Sequence, residues 1–225
     1  MAELVRVIAL DGPAGTGKSS VARGVAEVLK WRFVDTGATY RAVTLAVLRA
    51  GVSLDDPSAV AEVAQQARVE LDTDPRHPTV RLDGEDVSAQ IRGDEVTTSV
   101  SRVSAVPAVR ACMVTLQRRA MGTNGAVVEG RDIATVVAPY AGVKVYLDAR
   151  PEVRAQRRAT DLQAAQGQPL ESVAAALRGR DSIDNQTNRL DASEGAVRLD
   201  TSDLTLDEVV ARVVQLAERA GLRTP

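Results

Sequence analysis

The chain has 225 residues, 44% hydrophobic and 26% charged, with a formal net charge of −2, which is enough length for one core with insertions. That mildly acidic balance, with one Trp, one Phe and three Tyr, excludes the basic, stacking surface of a nucleic-acid binder. No apolar stretch nears the roughly eighteen residues that a membrane helix needs, the start lacks a secretory pattern, and Cys112 is the one cysteine, so a reducing, cytoplasmic setting without disulfide or cysteine-bound zinc is expected.

Val5 to Leu10 is an apolar run of strand length that ends at Asp11-Gly12, where glycine permits a sharp turn. The stretch Gly12-Pro-Ala-Gly-Thr-Gly17-Lys18-Ser19 then fits the phosphate-loop pattern G-x-x-x-x-G-K-[ST]. After it Val21, Val25, Val28 and Leu29 fall at helical spacing. Strand, glycine-rich loop and helix is the setting in which that motif grips a triphosphate. Gly12, Ala14, Gly15, Thr16, Gly17, Lys18, Ser19 and Ser20 are therefore the expected ATP cradle. The backbone N–H groups of Gly15 to Lys18 point inward, Lys18 reaches the β- and γ-phosphates, and the Ser19 hydroxyl ligates Mg²⁺.

Further along, Arg32 to Val34 makes a second strand, and "DTGATY" leads into Arg41. From Arg68 to Val87 two short alternating runs are separated by Asp, Pro and Gly turn signals, which predicts a small antiparallel insertion. His77, between Arg76 and Pro78, reads as a solvated turn residue, and Cys112 as a small core residue on a helix. Strands follow at Gly125 to Glu129, Val143 to Leu147 and Ala196 to Leu199. Pro151 suits the first turn of a helix carrying Val153 to Leu162. Thr205-Leu-Asp-Glu208 is a capping box before the stripe Val209, Val213, Leu216. The alternation predicts a single α/β domain with a mainly parallel sheet.

The N-K-x-D and D-x-x-G sequences of a GTPase are absent. Arginines recur instead: Arg41, Arg131 after "VVEG", Arg154, Arg157 and Arg158 at i, i+3, i+4, and Arg180 four residues before Asp184. A kinase for a phosphorylated acceptor must hold two phosphate tails, and the planar, permanently charged guanidinium suits that task. The 154–158 set fits a solvated helix face equally well. Glu129, at the end of a central strand, suits the Mg²⁺ shell or a cap on the following helix.

Six stretches in order, "GPAGTGKSS", "DTGATYRA", "GEDVSAQIR", "VSAVPAVR", "VEGRDIATVV" and "RDSID", resemble the bacterial cytidylate kinases over nearly the whole chain. The resemblance implies the P-loop nucleoside monophosphate kinase fold: a five-stranded parallel core, an acceptor-binding subdomain at about 37–104 with a small antiparallel sheet, and a mobile lid at about 154–170. It implies phosphoryl transfer from ATP to CMP or dCMP, with Mg²⁺, in a monomer that engages neither nucleic acid nor membrane. Position by position, it assigns Thr36, Tyr40, Arg41 and Arg131 to the acceptor phosphate end, and Ser101, Arg110 and Asp132 to cytosine. Arg180 and Asp184 match residues near the sugar, and Arg154, Arg157 and Arg158 lie where the lid begins. Asp132 otherwise reads as a cap on a helix beginning near Ile133.

The chain departs from the family pattern where Thr187 replaces an arginine three residues after Asp184, with Arg189 nearby, and where Thr39 replaces a common methionine. "TVVAPYAG" replaces the more usual "TVVFPDAP". UMP, AMP, shikimate or a modified cytidylate are the competing acceptors, and a non-catalytic nucleotide-binding regulator is the reading from another class.

Overall fold

The computed structural model describes residues 5–163 and 195–222. Strand β1 (Val7–Asp11) is followed by α1 (Lys18–Leu29), β2 (Arg32–Asp35) and α2 (Thr36–Ala50). Helix α3 (Pro57–Gln66) leads into the short strands β3 (Val69–Leu71), β4 (Val80–Leu82) and β5 (Glu85–Asp86), then α4 (Asp94–Ser104) and α5 (Pro107–Met121). The chain returns through β6 (Ala126–Gly130), a π-helical turn (Ile133–Val137), β7 (Val143–Asp148) and α6 (Pro151–Gln163). Beyond residue 194 come β8 (Val197–Asp200) and α7 (Leu206–Arg219).

Among the described residues, the main sheet has the order β2-β6-β1-β7-β8, and every pair in it is parallel. The apolar runs read from the sequence explain why, since a parallel sheet is covered on both faces and its central strands carry apolar residues at successive positions. In β1 the side chains alternate between two cores. Ile8 and Leu10 pack with α1 and α7, whereas Val7 and Ala9 pack with Val34, Val128, Met121 and the π-helical turn. All five expected strands form, each displaced by one or two residues at most.

The expected antiparallel insertion forms as well, with a third strand: β3, β4 and β5 make a separate sheet, and Asp83-Gly84 turns the chain between β4 and β5 in the left-handed region. The insertion has its own core. Val43 and Val47 of α2 meet Val60, Leu82, Ile91, Val103 and Met113 there, and Cys112 packs half-buried against it. His77 is exposed. Thr205 and Glu208 close the capping box at the start of α7, each side chain bonding the other's backbone N–H.

Because the sheet is parallel, the carboxyl ends of β1, β2, β6 and β7 lie along one edge, where such sheets hold their ligands. Those ends carry Asp11-Gly12, Asp35, Glu129-Gly130 and Asp148.

Candidate active site

The phosphate loop keeps its shape through backbone that only glycine adopts. Gly12 has φ 145, and a Cβ there would lie 2.1 Å from the Leu147 carbonyl oxygen. At Gly15, φ 79, a Cβ would meet the Arg154 carbonyl oxygen at 2.7 Å, so the start of α6 sits directly on the loop. Gly17, also left-handed, is the N-cap of α1. The loop closes on itself: Thr16 Oγ1 donates to the Pro13 carbonyl at 3.0 Å and the buried Lys18 Nζ donates to the same oxygen at 2.7 Å. Ser20 is exposed on the first turn of α1.

Ser19 and Glu129, 110 positions apart, are brought together, with Ser19 Oγ donating to Glu129 Oε1 at 2.6 Å. Parallel register sets Asp35 of β2 beside Glu129 of β6. Burial pushes the Glu129 carboxyl well above the usual carboxylate range, and the Asp35 charge adds to this; Lys18, the Ser19 hydroxyl and Arg41 oppose it. A buried carboxylate beside a hydroxyl and a second carboxylate is an all-oxygen donor set of the kind that hard divalent cations select. No motif of the sequence assigns a role to Asp35. Its signal was an acid ending a strand in register with Glu129.

The residues that the resemblance assigns to the acceptor come from separate elements. Arg41 Nη2 donates to Asp35 Oδ2 at 2.8 Å, while Asp35 Oδ1 caps α2 by accepting from the Ala38 N–H at 2.8 Å. Thr36 Oγ1 donates to the Glu129 carbonyl at 2.7 Å. Arg131 Nη1 reaches back to the Gly12 carbonyl at 3.2 Å. Arg110 of α5 pairs with the buried Asp132 carboxylate, and its guanidinium stands 5.9 Å from the centre of the Tyr40 ring. Burial raises the Tyr40 phenol above its ordinary acidity range. Ser101 is half-buried on α4. Thr39 is fully buried; its hydroxyl donates to the Thr36 carbonyl at 2.7 Å and accepts from Gln117 Nε2 at 2.9 Å. A polar residue is thus satisfied where the family pattern has methionine.

Two alternative readings of the sequence do not hold in the structure. Neither Asp132 nor Glu129 caps the segment at Ile133, which is a five-residue π-helical turn. Asp11 does so, accepting from the Ile133 and Ala134 N–H groups at 2.8 Å each, and this leaves the Asp132 carboxylate to Arg110. The solvated-face reading of the α6 arginines also gives way. Arg154 Nη1 donates to the Ala14 carbonyl at 3.2 Å, and Arg157 bonds Thr201 Oγ1 at 2.9 Å and the Thr201 carbonyl at 2.7 Å. Arg158 is half-buried on the same helix. Arg180, Asp184, Thr187, Arg189 and the lid beyond Gln163 lie outside the described residues.

A phosphate loop on a parallel sheet, faced by a second wall of arginines at the same edge, defines a P-loop phosphotransferase. The family model Cytidylate kinase matches residues 8–219. The chain is 50% identical to the Cytidylate kinase of Nocardia farcinica over 91% of its own length and 90% of that protein's. It is 49% identical to that of Rhodococcus jostii, with 96% of each chain covered, and 49% identical to that of Mycobacterium avium, with 95% of each covered. This chain belongs to the cytidylate kinase family. Among solved structures, a shikimate kinase from Acinetobacter baumannii in complex with shikimate overlaps it at TM-score 0.47 and 17% identity, covering 98% of this chain and 97% of that one, too distant a likeness to bear on the acceptor.

Proposed function

We propose that the protein transfers the γ-phosphoryl group of ATP to CMP, and to dCMP as a second acceptor, giving ADP and CDP or dCDP. The observation that carries this reading is the Arg110–Asp132 pair, half-buried beside Tyr40 on the acceptor side of the phosphate loop. Cytosine offers an exocyclic N4 amine as donor and N3 and O2 as acceptors. A carboxylate and a guanidinium set side by side complement that edge, with Asp132 accepting from N4 and Arg110, aided by Ser101, donating to the acceptors. Uracil presents an oxygen where N4 stood, and Asp132 repels it.

Loop N–H groups and Lys18 grip the β- and γ-phosphates. Arg41, Arg131 and Thr36 hold the acceptor phosphate so that one of its oxygens approaches the γ-phosphorus in line with the departing ADP oxygen. As the new P–O bond forms and the old one breaks, charge spreads over the transferring oxygens, and Lys18, Arg131 and the α6 arginines stabilise it. Ser19 and Glu129, with Asp35 beside them, would hold Mg²⁺, whose chemistry is to neutralise charge on the β- and γ-phosphates.

Arg180 and Asp184 hold the sugar in this reading. A lid at about 154–170 closes when both nucleotides are bound, excluding water from the γ-phosphate. The protein acts as a cytoplasmic monomer on small nucleotides, without nucleic acid or membrane; no described helix is long and apolar enough to cross a membrane.

An acceptor panel at constant ATP tests the function. CMP and dCMP should release ADP at rates at least about tenfold above UMP and AMP. Equal or faster turnover of UMP or AMP would overturn the cytosine reading, and no ADP release with any acceptor would leave a nucleotide-binding regulator.

A further inference from the structure

Asp11, at the end of β1, is 7% exposed and uses both carboxylate oxygens. Oδ1 accepts from the Ile133 N–H and Oδ2 from the Ala134 N–H, each at 2.8 Å. Those two amides open the π-helical turn immediately after Arg131 and Asp132, the residues assigned to the acceptor phosphate and the base. Asp11 in turn stands immediately before Gly12, where the phosphate loop begins, and the Gly12 carbonyl accepts from Arg131 at 3.2 Å. Asp11 and Gly12, the end of β1 and the start of the loop, thus share three hydrogen bonds with a four-residue stretch more than a hundred positions away. Only a short carboxylate presents two acceptors to two successive amides. An asparagine would present one acceptor and turn an N–H₂ against the other N–H.

We propose that Asp11 is a positioning residue that holds Arg131 and Asp132 in register with the phosphate loop, so that acceptor selectivity depends on a carboxylate in the strand leading into the ATP site. The proposal rests on the assignment of Asp132 to cytosine. A residue that merely stabilised the turn would lower the melting temperature and leave discrimination between acceptors alone. A positioning residue changes how the base and the acceptor phosphate are presented, while the backbone grip on ATP, which the glycines set, stays as it was.

The experiment compares the parent, Asp11→Asn, Asp132→Asn and the double variant by steady-state kinetics with CMP and UMP at saturating ATP, together with KM for ATP. Asp11→Asn is expected to lower kcat/KM for CMP about tenfold and to shrink the CMP over UMP ratio at least about threefold, with KM for ATP within about twofold of the parent. If Asp11 acts through Asp132, the double variant shows the ratio of Asp132→Asn alone, since residues working as one unit are not additive. An unchanged ratio in Asp11→Asn, or effects on the ratio that multiply in the double variant, would overturn the proposal. Asp11→Ser, which keeps one short acceptor in less space, supplies the same ratio should the asparagine variant fail to fold. The parent's rates with the two acceptors test the cytosine assignment separately, and if it prefers another acceptor, the ratio of its best to next-best acceptor judges Asp11 in the same way.

Discussion

The phosphate loop holds its form within one short run of chain, by left-handed glycines at 15 and 17 and by two bonds onto the Pro13 carbonyl. The acceptor wall has no such local frame. Asp35 ends β2 and caps α2, which carries Arg41, but Arg110 of α5 meets Asp132, from the segment after β6, only when α5 packs beside the sheet. A site made of backbone tolerates sequence drift around it provided its glycines stay. A site made of paired side chains ties its selectivity to the packing of several helices. ATP binding and acceptor reading should accordingly fail in different ways.

The largest separation is expected from Lys18→Ala. Losing a buried positive charge at the β- and γ-phosphates should lower kcat at least about a hundredfold, while equilibrium binding of CMP, measured by calorimetry, stays within about threefold of the parent. A kcat within about threefold of the parent would remove Lys18 from the chemistry. Next, Asp132→Asn should lower kcat/KM for CMP at least about tenfold, or 1.4 kcal/mol, and shrink the CMP over UMP ratio by more, because the amide turns its N–H₂ toward uracil O4. Since Asp11 carries the cap at Ile133, a loss of stability with no change in that ratio would leave cytosine reading to another residue.

Thr205→Ala has a smaller effect. It removes the capping box of α7, whose Thr205 and Glu208 bond each other, at about 1 kcal/mol, which for a domain of this size is a fall of about 2–4 °C in melting temperature. Activity below the transition should match the parent, and a changed kcat/KM for either nucleotide would tie α7 to the site.

The smallest effect is one of slope. Burial raises the Glu129 carboxyl above the usual carboxylate range, so the folded state binds that proton more tightly than the unfolded chain. Stability from this source is complete below about pH 4, the unfolded value, and is lost as pH climbs through the raised value. Glu129→Gln cannot titrate. In Mg²⁺-free buffer its melting temperature should therefore gain on the parent's as pH rises over that window, and added Mg²⁺ should narrow the gap. A gap that does not change with pH would place Glu129 in a solvated setting.

Much of this was readable in the chain, for reasons that follow the same division. The phosphate loop and the five strands are local patterns, a motif of fixed spacing and apolar runs bounded by turn residues, and each appears where expected. Asp35 and Asp11 were not legible, because what they do is fixed by which strands become neighbours. Asp35 comes to lie beside Glu129 through strand register, and Asp11 meets Ile133 only because β1 and β6 are paired. The tether of Arg157 to Thr201 was hidden for the same reason, since its spacing is that of any charged helix face. The family resemblance assigns Arg110 and Asp132 to cytosine, but their pairing with each other is visible only in the structure, and no spacing along the chain would have supplied it.

The position of β1 also bears on how the protein is made. Both of its neighbours come late in the chain: Val7 pairs with Ala126, and Ile8 with Val143. While a ribosome is still adding the insertion, the first strand has no partner on either side, and the loop it carries has neither the Leu147 carbonyl behind Gly12 nor Arg154 behind Gly15. The insertion, with its own core, has what it needs to consolidate earlier. Closing a span of this length costs chain entropy that grows with the logarithm of its length, and such distant pairings slow folding. The motif nearest the start of the chain is therefore among the last to take its working shape during synthesis, and a nascent chain cut short before β6 would carry the nucleotide-gripping sequence with no sheet to support it.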